Sequence, residues 1–275
     1  MIKTKRNIWL WVGLGLAVLL LACAAVLLFR GIQPSETEQP HQTALAATLP
    51  EPEKNIFTQE DFAYDGDYLT CLSGQSVLGI DVSSHQKQID WAQVKAAGVE
   101  FVMLRAAYRG SIEGALSEDK YVQVNYAGAK AAGLKVGAYI FTQAISVEEA
   151  IEDAQYILSI TQDWELDLPL VFDWELIDES YRNGFVDARL LTDMALAFCQ
   201  SVEAAGRDAM VYFNPDQSRT LLYLEELTDY DFWLAMYSDH MNYPYKVDMW
   251  QYSCTGTVPG IEGNVDIDLY FPYDE

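Results

Sequence analysis

Short apolar segments recur along residues 78–270, and helix-like segments separate the first four of them. Runs of this kind predict buried strands, whereas the intervening segments have the apolar spacing of amphipathic helices. Eight strands are predicted, at residues 78–83, 101–107, 135–142, 169–176, 209–214, 232–237, 248–253 and 265–270. Helices are predicted at residues 90–97, 119–132, 147–160 and 187–205, with Gly98 and Gly133 at the positions of helix C-caps.

The alternation of strands and helices ends after the fourth helix, and short connections join the later strands. Eight strands with so few helices predict an α/β fold, a distorted (β/α) barrel with a reduced number of helices. A doubly wound open sheet is the alternative, but no glycine-rich phosphate loop follows the first strand. Residues 56–77 are predicted to form a short β-rich lead-in with a turn at residues 65–67.

An uncharged apolar segment, residues 8–29, lies near the N-terminus. As a helix it is about 33 Å long, which is enough to cross the hydrocarbon core of a bilayer. Lys3, Lys5 and Arg6 precede it, so residues 1–7 are predicted to be a cytoplasmic tail and the rest of the chain to be exported. The segment is therefore predicted to be a transmembrane anchor. Residues 30–55, which are acidic and contain prolines, are predicted to be a linker to a catalytic domain at residues 78–275.

Two other interpretations of the N-terminus remain open. A cleaved signal peptide would use the small residues at 44–46, about 15 residues beyond the apolar run, and a lipoprotein would be modified at Cys23, after which the sequence stays apolar. All three interpretations place the body outside the cytoplasm, as a single-pass membrane protein, a secreted protein or a lipid-anchored one.

The charge of the chain excludes one class of partner. There are 41 acidic and 17 basic residues, which give a formal net charge of −24, and nucleic-acid binding requires a basic face. Three histidines occur, with no pair at metal-ligand spacing, so neither a metal nor a cofactor is predicted. Whether Cys71 and Cys254 form a disulfide stays open at the level of the sequence.

The fourth predicted strand ends with two acidic residues on one face. Side chains alternate along a strand, so Asp173 and Glu175 share one face with Val171, while Phe172 and Trp174 share the other. Asp81 ends the first strand, and Asp266 and Asp268 lie in the last one. The first and last strands of a closed barrel are neighbours, so Asp81 and Asp266 are expected to face the other pair across one mouth.

Clustered carboxylates cannot all ionise at neutral pH, so one of them keeps its proton. A protonated carboxyl group beside an ionised one is the pair that glycosidic bond cleavage requires. The alternative is that each acid is simply a solvated strand end. Aromatic residues that can stack on sugar rings include Tyr108, Tyr139, Trp174, Tyr212, Tyr237 and Trp250.

Several short motifs follow one another in a specific order. They are GIDVSSHQ at 79–86, IDW at 89–91, RAAY at 105–108, GAYIFTQ at 137–143, FDWE at 172–175, FWLA at 232–235, WQY at 250–252 and VDID at 265–268. In this combination residues 78–271 resemble the glycoside hydrolase family 25 lysozymes, the N-acetylmuramidases. The resemblance implies a distorted β/α barrel with an acidic groove, and cleavage of the β-1,4 bond between N-acetylmuramic acid and N-acetylglucosamine in peptidoglycan.

The resemblance also implies roles for the acids. Glu175 corresponds to the general acid, and Asp173 to the residue that stabilises the oxocarbenium or oxazolinium centre, with Asp81 and Asp266 as supporting acids. Asp268 stands where many members have Asn. The implied outcome is net retention through the acetamido group of the substrate. The predicted substrate-binding residues are Tyr139, Arg105, Tyr212, Trp250 and Gln143.

Two alternative functions remain. A chitinase-like glycosidase of family 18 also has an Asp-x-Glu strand end, but that motif expects a further acid where Val171 stands and Gly where Pro169 stands. A catalytically inactive peptidoglycan-binding module, tethered to the membrane, is the alternative outside enzymes. The complete set of acids favours an active enzyme over such a module.

Overall fold

Eight strands close into a barrel in the structure, a computed structural model that describes residues 49–73 and 76–272. The strands of the described part are β1 Phe62–Asp65, β2 Tyr68–Cys71, β3 Val77–Val82, β4 Phe101–Arg109, β5 Leu116–Glu118, β6 Lys135–Thr142, β7 Leu170–Trp174, β8 Ala209–Phe213, β9 Asp231–Ala235, β10 Met249–Gly256 and β11 Val265–Tyr270. Around the barrel the order is β3-β4-β6-β7-β8-β9-β10-β11, and β11 pairs with β3 to close it. The predicted eight-stranded barrel is confirmed.

The last strand runs against the others. From β3 to β10, each barrel strand is parallel to the next one in the barrel order. β11 is antiparallel to both of its neighbours, β10 and β3. The first residues of β11 therefore lie at the same end as the last residues of the parallel strands. In this register Asp266 lies directly opposite Asp81. The expectation that these two acids are neighbours at one mouth is met.

Helices cover part of the outer surface of the barrel. They are α1 Trp91–Ala96, α2 Val122–Ala131, α3 Val147–Thr161, α4 Ala188–Ala204 and α5 Pro215–Thr220. The side chains of Asp90, Ser146 and Asp187 accept hydrogen bonds from backbone N–H groups in the first turns of α1, α3 and α4. Gly98 and Gly133 follow α1 and α2 at φ of +95° and +76°, the left-handed conformation that ends a helix most easily with glycine.

The lead-in covers the side of the barrel that the longer helices leave bare. Strands β1 and β2 form an antiparallel hairpin, and Phe62 packs edge-on against Trp250 of β10 with ring centroids 5.1 Å apart. Phe57 packs on Phe271 at 4.8 Å, and the backbone N–H of Leu69 donates to the hydroxyl of Tyr252 at 3.2 Å. These contacts bury the outer faces of β10 and β11, as a helix would elsewhere in the barrel.

Phe62→Ala is expected to destabilise the protein, because the ring is 7% exposed and fills the space over Trp250. Truncation of a buried Phe costs about 3–5 kcal/mol, which lowers the Tm of a domain of this size by roughly 6–15 °C. Thermal unfolding of the full chain measures the shift. Tyr64→Ala, on the same hairpin but exposed, is the matched control and is expected to change Tm little. Equal shifts for the two variants would contradict a packing role for the lead-in.

Three further expectations from the sequence concern the linker, the anchor and the cysteines. The end of the predicted linker packs on the body, since the backbone N–H of Asn55 donates to Pro244 O at 3.1 Å and that of Lys246 donates to Glu53 O at 2.8 Å. The predicted anchor at 8–29 lies outside the described residues, and among those described no helix has the length and apolarity to span a bilayer. Cys71 and Cys254 are free thiols, the first buried and the second exposed.

Candidate active site

The four predicted acids line one cleft at the C-terminal end of the parallel strands. The cleft has a volume of about 320 Å³. Asp81 lies on β3, Asp173 on β7 and Asp266 on β11, and Glu175 follows β7 directly. Asp81 and Asp173 are buried, at 5% and 4% exposure, whereas Glu175 and Asp266 are partly exposed. The structure therefore brings together the acids that the sequence placed at separate strand ends.

Asp81 is held by hydrogen bonds to both of its oxygens. The hydroxyl of Tyr139 donates to Oδ1 at 3.3 Å, and the side-chain amide of Gln251 donates to Oδ2 at 2.6 Å. The oxygen of the same amide accepts from the hydroxyls of Tyr212 and Tyr237, at 3.0 and 3.2 Å. Gln251 thus connects two tyrosines to Asp81, and the network fixes the orientation of all four side chains.

The end of β7 is held by side-chain amides. Gln143 Nε2 and Asn183 Nδ2 both donate to the backbone carbonyl of Glu175, at 2.7 and 2.9 Å. Gln217 Nε2 donates to the preceding carbonyl, that of Trp174, at 2.8 Å. The backbone that carries Asp173 and Glu175 therefore has little freedom to shift, and both carboxyl groups are pre-positioned.

Two predicted substrate-binding residues lie outside the cleft. Trp250 is fully buried on the outer face of β10, where its Nε1 donates to Met236 O at 2.7 Å, so it cannot contact a substrate. Gln143 is also fully buried, and its amide is engaged by the Glu175 carbonyl. The structure therefore places Trp250 and Gln143 behind the strand ends and does not bring them to the cleft with the other predicted residues.

Three other predicted substrate-binding residues do line the cleft: Tyr139, Arg105 and Tyr212. Arg105 is the one Lys or Arg among the lining residues, and it forms an ion pair with Asp119 at 2.8 Å and donates to Ser84 Oγ at 3.1 Å. Seven further residues line the cleft and were not among the predicted site residues: Ser83, His85, Gln86, Phe141, Trp233, Tyr237 and Gln251. Of these, the sequence singled out only Tyr237, as an aromatic residue that can stack on sugar rings. For Phe141, Trp233 and Gln251 a signal was available in the alternation of strands β6, β9 and β10, which points them inward.

Burial raises the pKa of all four acids in the cleft, and the charges of neighbouring acids add to the effect at Asp81, Asp173 and Glu175. For Asp81 the cause is burial and then the charge of Asp266, and for Asp173 it is burial and then the charges of Glu175 and Asp81. The pKa of Glu175 is raised by burial and by Asp266. Burial raises the pKa of Asp266 to about 6. The raised pKa values favour retention of a proton in the cleft, which general acid catalysis requires.

Asp173 has an unused hydrogen-bonding position. Its Oδ1 is buried and accepts no hydrogen bond from any residue that the structure describes. A buried acceptor without a donor is costly unless a ligand supplies the donor. The structure describes no group of three His, Cys, Asp or Glu side chains that could hold a metal ion.

Asp268 is a fifth carboxyl group, one layer deeper in the barrel. It is fully buried, its Oδ1 accepts from Trp233 Nε1 at 3.0 Å, and its Oδ2 has no partner among the described residues. Burial, followed by the charges of Asp81 and Asp266, raises its pKa well above the usual range. The folded state therefore binds a proton at Asp268 more tightly than the unfolded chain does.

Asp268→Asn is expected to raise Tm at pH 7.5 by a few degrees and to change it little at pH 4. The raised pKa means that the stabilising contribution of the protonated carboxyl is complete below the unfolded pKa, near 3.9, and is lost as the pH rises through the folded pKa. Asn keeps the acceptor for Trp233 without that loss. Thermal unfolding of the full chain at the two pH values tests this, with the exposed Asp163→Asn as control. A lower Tm at pH 7.5 would show that the buried charge is not costly.

An acidic, tyrosine-lined cleft at the C-terminal end of a β/α barrel defines the class of a glycoside hydrolase. The family model described as "Glycosyl hydrolases family 25" matches residues 80–261, about two thirds of the chain. The chain belongs to this family, and the resemblance of its motifs is confirmed.

Named relatives agree with this assignment. The chain is 29% identical over 198 residues to an autolytic lysozyme of Clostridium acetobutylicum, a match that covers 70% of this chain and 55% of the relative. The structure is similar to a bacterial lysozyme of Streptomyces coelicolor, with a TM-score of 0.57, 27% identity and coverage of 72% of this chain and 93% of that one. It is also similar to the modular autolysin LytC of Streptococcus pneumoniae in complex with a synthetic peptidoglycan ligand, with a TM-score of 0.63, 25% identity and coverage of 72% and 47%. The chain thus spans about half the length of two of these relatives.

Proposed function

We propose that the chain is a lysozyme, which cleaves the β-1,4 bond between N-acetylmuramic acid and N-acetylglucosamine in peptidoglycan. The observation that carries the proposal is the placement of Asp173 and Glu175 side by side in one cleft, where burial and the charges of neighbouring acids raise the pKa of both. The substrate is inferred from the relatives, which include lysozymes and an autolysin crystallised with a peptidoglycan ligand.

Glu175 is the proposed general acid. Its carboxyl group is partly exposed in the cleft, so a glycosidic oxygen can reach it, and its raised pKa favours the protonated form that donates to the leaving oxygen. The amides of Gln143 and Asn183 hold its backbone at the mouth. Proton donation lowers the energy of the departing sugar alkoxide, which is otherwise a poor leaving group.

Asp173 is proposed to stabilise the positive charge that develops at the anomeric carbon. Its unpartnered Oδ1 is suited to accept the N–H of the acetamido group, which orients the acetamido oxygen for attack and stabilises the oxazolinium centre. The expected outcome is net retention. Asp81 and Asp266 support the pair through their charge, and Tyr139, Arg105 and Tyr212 are placed to contact the sugar.

Release of soluble fragments from purified Gram-positive peptidoglycan tests the proposal. The full chain is expected to release fragments continuously, and release is expected to slow by orders of magnitude when Glu175 is replaced by Gln. A chain that binds the insoluble wall without releasing any fragment would instead be a peptidoglycan-binding module, and the proposal would fail.

We also propose that residues 8–29 anchor the protein in the membrane, with residues 1–7 in the cytoplasm and the catalytic domain on the extracytoplasmic face. The basis is the length of the uncharged segment and the basic residues before it. In spheroplasts, external protease is expected to digest the catalytic domain, and the intact chain is expected to sediment with membranes after carbonate extraction. Recovery of a shortened soluble form would support a cleaved signal peptide.

A further inference from the structure

Exposed apolar side chains lie on two loops at the end of the barrel where the cleft opens. Two come from the end of β4 and the loop after it, and four come from the loop that follows β7. They are Tyr108, Ile112, Leu176, Ile177, Tyr181 and Phe185, here called the apolar rim, with exposures from 38% to 76%. Large apolar side chains exposed together on one side of a binding cleft usually mark a surface that another molecule covers.

Tyr108 connects the apolar rim to the cleft. It pairs in register with Phe141 of β6, whose side chain lines the cleft. The guanidinium of Arg105, which also lines the cleft, lies over the Tyr108 ring at 5.5 Å from the centroid. The ring therefore borders the site directly, and a ligand leaving the cleft on this side passes over it.

The loop after β7 is fastened at its base, so the apolar rim has a defined position. Asn183 donates to the carbonyl of Glu175, which closes the loop where it begins. Arg182 donates to Gln143 O at 3.0 Å and forms an ion pair with Glu149, and its backbone N–H donates to Ser111 O at 3.4 Å. The last contact joins this loop to the loop after β4. The two loops that carry the apolar residues are therefore held against each other.

The size of the cleft and the charge of the two loops indicate which kind of molecule covers the apolar rim. A volume of about 320 Å³ is at the small end of ligand sites, so a polymeric substrate must extend beyond it. The loops carry the acids Glu113, Asp178 and Glu179 and, apart from the engaged Arg182, no Lys or Arg, which opposes an anionic lipid surface. The C–H faces of sugar rings are apolar and uncharged, and they stack on aromatic side chains.

We propose that the apolar rim is a glycan-binding surface for sugar rings of the same strand that lie outside the cleft, away from the bond to be cleaved. The inference rests on the proposed function, which supplies the polymeric glycan. It makes the protein selective for long strands over short fragments, because only a long strand reaches the cleft and the apolar rim at once.

The test compares a rim variant with a matched control on two substrates. The rim variant combines Tyr181→Ala with Phe185→Ala, and the control combines Ile56→Ala with Val124→Ala, which are also exposed, at 64% and 61%, but lie elsewhere. The substrates are long glycan strands stripped of stem peptides and a tetrasaccharide of the same repeat. The rim variant of the full chain is expected to lose about three- to tenfold in kcat/KM on the long strands, through KM, and less than about twofold on the tetrasaccharide. The control is expected to match the wild type on both.

The outcomes separate this inference from the proposed function. Equal effects on both substrates, or none on either, would overturn the inference and leave the function standing. A defect that appears only on intact cells, and not on purified strands, would assign the apolar rim to a lipid or protein partner and also overturn it. A wild-type chain with no activity on either substrate would overturn the proposed function, and this inference with it.

Discussion

Glu175→Gln is expected to slow the release of peptidoglycan fragments by about 10²–10⁴-fold, the usual contribution of a positioned general acid. Gln has the same shape as Glu, and the contacts that hold residue 175 are made to its backbone carbonyl, so the fold and the binding of the wall are expected to persist. What is lost is the proton for the leaving oxygen. Kinetics of fragment release, together with co-sedimentation of the variant with insoluble wall, measure the two effects separately.

An activated substrate identifies this role more sharply. In a p-nitrophenyl glycoside of the disaccharide the leaving group is p-nitrophenolate, which departs without needing a proton. The Glu175→Gln variant is therefore expected to cleave this substrate at a rate much closer to that of the wild type. If the variant is as slow on the aryl glycoside as on the wall, Glu175 does not act as the general acid.

Asp173→Asn is expected to lower kcat by about 10²–10³-fold on both the wall and the aryl glycoside, because charge stabilisation at the anomeric carbon is needed whatever the leaving group. The pKa of Glu175 is raised by burial and by the charge of Asp266. The alkaline limb of the pH–rate profile is therefore expected to stay in place in Asp173→Asn and to move to lower pH in Asp266→Asn. Steady-state kinetics across pH on both substrates measure both effects.

Each variant serves as the control for the other, because the two are expected to differ in their activity on the aryl glycoside. If the Asp173→Asn variant cleaves the aryl glycoside at nearly the wild-type rate, Asp173 and not Glu175 would be the general acid. A chain that loses activity and also unfolds at lower temperature would show only that Asp173 is structural. Its burial at 4% exposure makes the measurement of Tm a necessary part of the experiment.

The barrel was predictable because each strand carries its own local pattern. Two predicted strands, at 135–142 and 265–270, coincide with β6 and β11 to the residue, and most of the others differ by one or two. The direction of the last strand was not predictable, because the alternation of apolar residues is the same for a parallel and an antiparallel strand. It is the antiparallel direction of β11 that brings Asp266, near the start of its strand, to the mouth beside Asp81. The small strand β5 and the short helix α5 have too few residues to show a period.

The part of the candidate site that was predictable consists of residues whose type is not explained by packing. Acids at the ends of apolar strands are poorly explained by burial, and this signal identified the four acids that line the cleft. Trp250 lies outside the cleft because side chains alternate along β10: in WQY the central Gln251 points inward and both aromatic residues point outward. Asn183 gave no signal, since it reaches Glu175 from an irregular loop. Only the tertiary fold shows that contact.

The central claim is the identity of the bond, and the reducing ends of the released fragments test it most directly. The full chain is incubated with purified Gram-positive peptidoglycan, and the fragments are analysed by mass spectrometry, with Glu175→Gln as control. The proposed function predicts fragments that end in reducing N-acetylmuramic acid and that are absent with the control. Fragments that end in reducing N-acetylglucosamine, or in the anhydro sugar of a lytic transglycosylase, would contradict it.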